Sequence, residues 1–198
     1  EVLRQKRKGG YTILKIDPSY APGELERKEV FGITFEQRHN DGVIDGRLLE
    51  NIDDMQARGN LMWDSAMAEN GILKAGRRTD FQAHQIEHQL GAHTDCNHGQ
   101  GLAVIHPAYY RHILPYAPEK FTRFAQEVFG RRTAQEGLQA LAEFLQACGL
   151  PTRLSQLASK VEITPKLLRR VADTCNVIRT GPCELSRDEI YEILCECL

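Results

Sequence analysis

Four of the chain's seven histidines lie within one short stretch, DFQAHQIEHQLGAHTDCNHGQG, which spans residues 80–101. His84 and His88 are four residues apart, so a helix would place them on one face, one turn from each other. A helix, a glycine-containing bend and a second helix would return His98 to the side of His84. Neutral imidazoles in such an arrangement suit Fe(II) or Zn(II). His93, at the predicted helix end, is instead placed to interact with the last carbonyl groups.

Three interpretations of this cluster are open. The histidines could belong to a solvated polar helix face. They could also form an inverted zincin motif, because His84 to His88 reads H-x-x-E-H and Glu87 would then be the general base. That motif needs a downstream acidic ligand, and the sequence offers no clear one. In the third interpretation His84 and His98 bind a metal, and His88 is an acid–base or substrate-facing group.

The elements that must position these histidines have helical periodicity from Asp54 onward. Asp80 is a suitable N-cap for a helix that we expect to run through Leu90. The segment GLAVIHPAYYRHI, residues 101–113, predicts a second helix that bends near Pro107. Gly99 and Gly101 would let the backbone approach a ligand closely.

The later segments also predict helices with clear ends. Residues 118–130 are amphipathic, with apolar residues on one face and a glycine as the stop signal. Residues 133–151 repeat this form. A helix is expected to open at Pro165, and a last one after Ser186, whose capping-box partner is Glu189.

The first 52 residues have a different character. Residues 11–16 (YTILKI) and 30–37 (VFGITFEQ) predict short strands, and Asn40 to Gly42 predict a turn. We therefore expect a mainly α-helical protein with two parts. A short α/β segment occupies residues 1–52, and an all-α helical bundle occupies residues 53–198.

Composition narrows the functional classes. The chain has 198 residues, 41% hydrophobic and 26% charged, and a net charge of −2, which are typical of a globular protein without a nucleic-acid or membrane partner. No apolar run is long enough to span a bilayer. The six cysteines form no CxxC pair. Reduced thiols and a cytoplasmic location are the expectation.

The helical part resembles a known enzyme family. Residues 57–71 (ARGNLMWDSAMAENG), the histidine stretch continued to residue 113, and residues 137–157 (GLQALAEFLQACGLPTRLSQL) occur in an order similar to the C-terminal helical domain of iron-containing, group III alcohol dehydrogenases. The butanol-dehydrogenase-like branch is the most similar one. This resemblance covers residues 53–198.

The resemblance implies a metal-dependent alcohol or aldehyde oxidoreductase that uses NAD or NADP and acts on a small alcohol or aldehyde. It implies Fe(II) or Zn(II) as the metal, with His84 and His98 matching two of the family's four ligands. It also implies a catalytic role for His88, in proton relay or positioning near the nicotinamide. Trp63 and the pair Tyr109–Tyr110 are expected to be packing residues.

The opening residues resemble a different enzyme. Residues 9–20 (GGYTILKIDPSY) and 37–45 (QRHNDGVID) are similar to a stretch of the transformylase domain of the bifunctional purine-biosynthesis protein. That resemblance covers residues 2–52 and carries no catalytic residue.

Two parts of the dehydrogenase family pattern are not found in the sequence. There is no glycine-rich phosphate loop after a strand. The family's first two ligands, an Asp and a His four residues later, have no match, because His39 is preceded four residues earlier by Phe35. We therefore expect little dehydrogenase activity from this chain alone. Two alternatives remain: a fragment of a purine-biosynthesis formyltransferase, carried by residues 1–52, and a non-enzymatic helical module that self-associates through an exposed docking face.

Overall fold

Helices make up nearly all the regular structure in the computed structural model, which describes residues 29–30, 33–34, 53–70, 76, 79–177 and 179–198. The expected mainly α-helical fold is confirmed. The helices are α1 (Met55–Glu69), α2 (Gln82–Thr94), α3 (His98–Ile113), α4 (Pro118–Phe129), α5 (Ala134–Ala147), α6 (Pro165–Thr174) and α7 (Arg187–Glu196). Two short 3-10 turns, Leu114–Tyr116 and Leu154–Gln156, lie between them.

The chain divides into two units. The first comprises Glu1–Arg77 and Glu119–Gly137, and the second comprises Arg78–Pro118 and Leu138–Leu198. Helix α1 and nearly all of α4 belong to the first unit. Helices α2, α3, α6 and α7 belong to the second, so all the histidines of the predicted cluster lie in one unit.

The second unit is built on a closed ring of four helices. Helix α2 packs against α3 and α6, and α7 also packs against α3 and α6. Each helix contributes a fully buried apolar side chain to the interior: Leu90, Ile113, Leu168 and Leu194. Burying such side chains is the main stabilising contribution to folding. The ring therefore gives the α2–α3 pair a rigid support.

Local capping residues start the last two helices as expected. The side chain of Thr164 accepts a hydrogen bond from the Leu167 N–H at 3.3 Å, and Pro165 is the first helical residue of α6. The Ser186 hydroxyl accepts from the Glu189 N–H at 3.2 Å, and the Glu189 carboxylate accepts from the Ser186 N–H at 2.7 Å. The predicted capping box is confirmed.

The boundary between α2 and α3 differs from the expectation. Helix α2 continues through Gly91 to Thr94, and it ends at Asp95, which has a left-handed φ of 55°. Glycine inside a helix costs only about 1 kcal/mol relative to alanine. The packing of α2 against two neighbours offsets this cost. Helix α3 begins at His98, earlier than expected, because Asn97 Oδ1 accepts from the Gln100 N–H at 3.1 Å.

Helices α4 and α5 end as the glycine signals indicated. In α4, Phe121, Phe124 and Ala125 are buried on one face. Gly130 and Gly149 follow the two helices with φ of 62° and 74°, a backbone conformation that glycine adopts without steric cost. Both stop signals are confirmed.

The described part of the N-terminal segment contains one antiparallel pair of very short strands, β1 (Glu29–Val30) and β2 (Ile33–Thr34). Val30 pairs with Ile33, and Glu29 pairs with Thr34. Val30 and Ile33 pair across two antiparallel strands, so one continuous strand through both residues is wrong, and residues 31–32 and 35–37 of the expected strand lie outside the described residues. The strand expected at residues 11–16 and the turn at 40–42 lie outside the described residues.

The expectations for cysteines and membrane spans can also be compared with the structure. All six cysteines are free. Burial raises the pKa of the Cys175 thiol to about 11, and burial with nearby carboxylates raises that of Cys183 to about 11. Among the residues that the structure describes, no helix combines the length and apolar character needed to cross a bilayer.

Candidate metal centre

Three imidazole rings from two helices lie close together at one side of the α2–α3 pair. The ring centroids of His84 and His98 are 5.6 Å apart, those of His88 and His98 5.1 Å, and those of His84 and His88 6.1 Å. His84 is half-buried, whereas His88 and His98 are exposed. The cluster therefore lies at the protein surface, where solvent reaches the rings of His88 and His98.

The antiparallel packing of α2 and α3 brings these rings together. The first turn of α2 meets the C-terminal part of α3, where Gln82 contacts Tyr109, and the second turn of α2 meets the start of α3, where Glu87 contacts His98. His84 lies between these two points of contact, and His88 directly follows Glu87. The connection of Asp95 to Asn97 is short, so His98 is the first helical residue of α3 and faces back toward α2.

A buried polar network anchors the beginning of α2. Asp80 accepts hydrogen bonds from the Gln82 N–H at 2.9 Å and from the Tyr109 hydroxyl. The Gln82 side-chain amide donates to the Tyr109 oxygen at 3.2 Å and to the Cys183 carbonyl at 2.9 Å. Burial and the neighbouring Asp80 carboxylate raise the pKa of Tyr109 far above its ordinary value. Tyr109 is thus a buried hydrogen-bonding residue as well as a packing residue.

Glu87 is the one acidic residue of the helix face that α2 buries, and only 2% of its side chain is exposed. Its carboxylate is hydrogen-bonded to Nδ1 of His98. A Cβ atom at Gly101 would lie 2.7 Å from Oε1 of Glu87 and 2.9 Å from its Cγ, so a glycine is needed there. Gly101 thus allows a close approach to a side chain of α2, whereas the expected close approach to a ligand stays a prediction.

This position of Glu87 weakens the inverted zincin interpretation. A general base must have room for the water it activates. Glu87 is buried and is already bonded to His98. Sequence reasoning considered Glu87 only as that base. The sequence does contain a signal for its other role. Glu87 shares a helix face with Ala83, Ile86 and Leu90, and a carboxylate on an apolar face needs a hydrogen-bonding partner.

A fourth imidazole adjoins the cluster. The ring of His106 on α3 lies 6.0 Å from that of His84 and stacks on Tyr110 at 5.1 Å with an interplanar angle of 21°. His106 was not among the predicted site residues. The spacing of residues within α3 does not indicate a role for His106, because its proximity to His84 depends on how α2 packs against α3.

His93 points away from the cluster. Its Nε2 atom lies 3.3 Å from the Gln89 amide nitrogen and 3.5 Å from the Thr174 hydroxyl of α6. Gln89 also donates to that hydroxyl at 2.7 Å. His93 therefore belongs to the contact between α2 and α6. Its expected interaction with the terminal carbonyl groups of α2 stays a prediction.

The donor set fits a divalent transition metal. Imidazole nitrogens suit iron and zinc, and a carboxylate beside them is a common addition. Among the described residues, one ligand atom each from Glu87, His88 and His98 lie within 4.8 Å of one another. This group could hold a metal ion, and the assignments of His84 and His98 as ligands and of His88 as a catalytic residue stay predictions.

Relatives of the chain agree with this chemistry. Residues 46–198 match the family described as "Fe-containing alcohol dehydrogenase family, C-terminal". The chain therefore belongs to the iron-containing alcohol dehydrogenase family, and it contains that family's C-terminal, helical part.

Individual relatives span more than this chain does. NADH-dependent butanol dehydrogenase A of Clostridium acetobutylicum is 33% identical over 157 residues, which cover 73% of this chain and 39% of that enzyme. The NADPH-dependent aldehyde reductase YqhD of Escherichia coli is 26% identical over 133 residues, or 64% of this chain and 34% of that enzyme. The chain thus spans less than half the length of these curated relatives.

Solved structures show the same partial coverage. The crystal structure of NADH-dependent butanol dehydrogenase A from Thermotoga maritima superposes with a TM-score of 0.69 at 28% identity, covering 82% of this chain and 43% of that one. The resemblance of residues 2–52 to the purine transformylase finds no support in these comparisons. The matched family region instead begins at residue 46, inside that segment.

Proposed function

We propose that this chain supplies the metal-binding helical half of an NAD- or NADP-linked oxidoreductase acting on small alcohols or aldehydes. The observation that carries the proposal is the convergence of His84 and His98, whose rings lie 5.6 Å apart although they are fourteen residues apart in sequence. Family membership supports the reaction class. The relatives named above are an NADH-dependent butanol dehydrogenase and an NADPH-dependent aldehyde reductase.

In this proposal His84 and His98 hold a divalent ion, Fe(II) or Zn(II). When bound, such an ion supplies Lewis-acid polarisation of the substrate oxygen. His88 is exposed and its ring lies 5.1 Å from that of His98, so it can exchange a proton with a substrate hydroxyl from the solvent side. The buried network at Asp80, Gln82 and Tyr109 holds the first turn of α2, which contains His84.

A nicotinamide coenzyme needs a phosphate-binding surface, and the sequence contains no glycine-rich motif of the kind that forms one. We therefore expect these residues alone to oxidise butanol with NAD or NADP very slowly. Metal binding is the property on which the proposal can be tested directly.

The test is titration of the chelator-treated protein with Zn²⁺ and, separately, Co²⁺, followed by calorimetry and by the visible absorption of bound cobalt. We expect about one ion per chain, as for an ordinary mononuclear site. His84→Ala and His98→Ala should each weaken binding by more than the roughly 10–100-fold that the loss of an outer partner costs. His93→Ala is the matched control, because His93 lies in the same segment but contacts Gln89 and Thr174.

Two results would overturn the metal assignment. One is the absence of saturable binding to the wild-type protein. The other is an equal loss of affinity in His93→Ala and in the two ligand variants, which would indicate nonspecific binding to histidines.

A second candidate role is self-association of the helical part. It is favoured by exposed apolar side chains on α1, where Met55 is 77% and Trp63 is 45% exposed. Met62, next to Trp63, is 72% exposed as well, so the expected packing role of Trp63 inside the chain is wrong, and such exposed apolar side chains are typical of an interaction surface when they form one patch.

A further inference from the structure

The contact between Glu87 and His98 is not explained by packing alone. Glu87 lies on the buried face of α2 beside Ala83, Ile86 and Leu90, and its side chain is 2% exposed. Placing a carboxylate among apolar side chains is costly unless it is paired and hydrogen-bonded. A neutral or apolar side chain could be buried at this position at a lower cost in free energy. The presence of a carboxylate there therefore indicates a role other than packing.

The surrounding backbone is arranged to admit this carboxylate. A Cβ atom at Gly101 would overlap Glu87, because it would lie only 2.7 Å from Oε1 of that side chain. At Gly91 a Cβ would meet the same oxygen at 3.5 Å, an ordinary contact. Glycines from both helices therefore border Oε1, while Oε2 is directed at the His98 ring.

The chemistry of the contact determines the state of the His98 ring. When the Glu87 carboxyl group is ionised it only accepts hydrogen bonds, and Nδ1 of His98 then carries the proton of this contact. A neutral imidazole with hydrogen on Nδ1 has its lone pair on Nε2. Nε2 is the ring nitrogen not engaged by Glu87, and 52% of the His98 side chain is exposed. The lone pair is thus available to a ligand outside the α2–α3 pair.

We propose that Glu87 is a positioning residue that selects the Nδ1–H tautomer and fixes the ring orientation of His98, so that Nε2 is the atom offered to a divalent metal. The inference rests on the proposed function for the identity of the ligand. The contact on which it depends is a property of the metal-free chain. Histidine ligands commonly donate their other ring N–H to a carboxylate, which orients the ring and increases its basicity.

Glu87 could instead be a ligand itself, since its oxygen lies within 4.8 Å of donor atoms of His88 and His98. The burial of its carboxylate argues against this alternative. Its Oε2 is bonded to His98, and its Oε1 borders Gly91 and Gly101, so both oxygens already have neighbours inside the α2–α3 pair. The experiment below separates the two roles.

The first measurement needs no variant and no metal. Long-range ¹H–¹⁵N correlation spectra of the chelator-treated wild-type protein report the tautomer of each histidine ring, with His98 assigned by comparison with His98→Gln. We expect His98 to be predominantly the Nδ1–H tautomer. A free neutral imidazole favours Nε2–H, so a His98 spectrum of that kind would overturn the proposal.

The second measurement uses Glu87→Gln, which has nearly the same shape but no charge. We expect the tautomer preference of His98 to decrease and the Zn²⁺ affinity to fall by about 10–100-fold, with the cobalt absorption spectrum retaining its wild-type form. Glu192→Gln on α7 is the matched control, because that residue is exposed and lies on a different helix. It should leave both readouts unchanged.

A changed cobalt spectrum together with complete loss of binding in Glu87→Gln would show that Glu87 is a ligand, contrary to the proposal. If wild-type protein binds no metal, the proposed function fails, while the tautomer of His98 still decides whether Glu87 positions the ring.

Discussion

At the scale of single residues, the geometry of the site depends on how the Glu87 side chain fits against Gly101. Glu87 reaches His98 only because residue 101 has no Cβ. Residue 99 is also a glycine in the first turn of α3, but a Cβ there would meet only Asn97 Oδ1, at 3.5 Å. The two glycines thus have different roles, although they are two residues apart.

Gly101→Ala should therefore destabilise the protein, whereas Gly99→Ala should not. Forcing an extra methyl group against a packed side chain costs about 1–3 kcal/mol. Alanine in a helix is favoured over glycine by up to about 1 kcal/mol, and this gain applies to both variants. Urea unfolding of the two proteins measures the difference directly. Equal stability of the two variants would show that Glu87 moves aside without cost and that the close approach is unimportant.

At the scale of elements, side-chain caps start three helices of the second unit, α3, α6 and α7, whereas the N-cap residue of α2, Phe81, makes no side-chain capping bond. The α7 capping box is the clearest example, since Ser186 and Glu189 satisfy each other's backbone N–H groups. Hydrogen bonds from the Ser186 N–H and hydroxyl, and then from His112, hold the pKa of the Glu189 carboxyl below its ordinary value of 4.5. A carboxylate at a helix N-terminus is also favoured by the helix dipole.

The lowered pKa of Glu189 predicts a pH-dependent contribution to stability. A group whose pKa is lower in the folded state stabilises the protein above the unfolded value of 4.5, and this contribution is lost as the pH falls through the folded pKa. Glu189→Gln keeps an acceptor for the Ser186 N–H but has no charge. We expect the variant to be less stable than the wild type at neutral pH, and the two to converge at acidic pH.

Urea unfolding of both proteins at neutral pH and in steps below pH 4.5 checks this expectation. Ser186→Ala is the companion variant, because it removes the hydroxyl that bonds to Glu189 and should cost about 1 kcal/mol as an N-cap loss. A stability difference between Glu189→Gln and the wild type that stays constant over the whole range would contradict the charge-based account.

At the scale of the whole molecule, the chain consists of two units of which the second contains the complete histidine cluster. The ring of α2, α3, α6 and α7 supports the site through helix packing, since each of these helices contacts two others. Metal binding is therefore expected to depend on the integrity of the second unit. Helix α1, with its exposed Met55 and Trp63, belongs to the first unit.

The exposed side chains of α1 predict concentration-dependent self-association between copies of this chain. Met55 and Trp63 are eight residues apart, or about two helical turns. We expect light scattering to show species larger than the monomer at high protein concentration, and the double variant Met55→Ser with Trp63→Ser to shift the distribution toward monomer. Val161→Ser, another exposed apolar position, is the control. A monomer at every concentration would exclude this second role.

Much of the helical architecture could be predicted from the sequence because the determinants are local. Thr164 and Ser186 cap backbone N–H groups three residues away, and Gly130 and Gly149 adopt left-handed conformations that end a helix. Where local signals compete with packing they are less reliable. Gly91 looked like a stop, but the burial of α2 on two sides carries the helix through it to Thr94.

The sequence alone also identified which residues could do chemistry, since residue type and spacing determine the available donors. It did not determine which donors meet. The convergence of His84 and His98, the addition of His106, the separation of His93 and the hydrogen bond from His98 to Glu87 all depend on the register between α2 and α3 or α6. That register is decided by the sum of many long-range apolar contacts, which no short stretch of sequence encodes by itself.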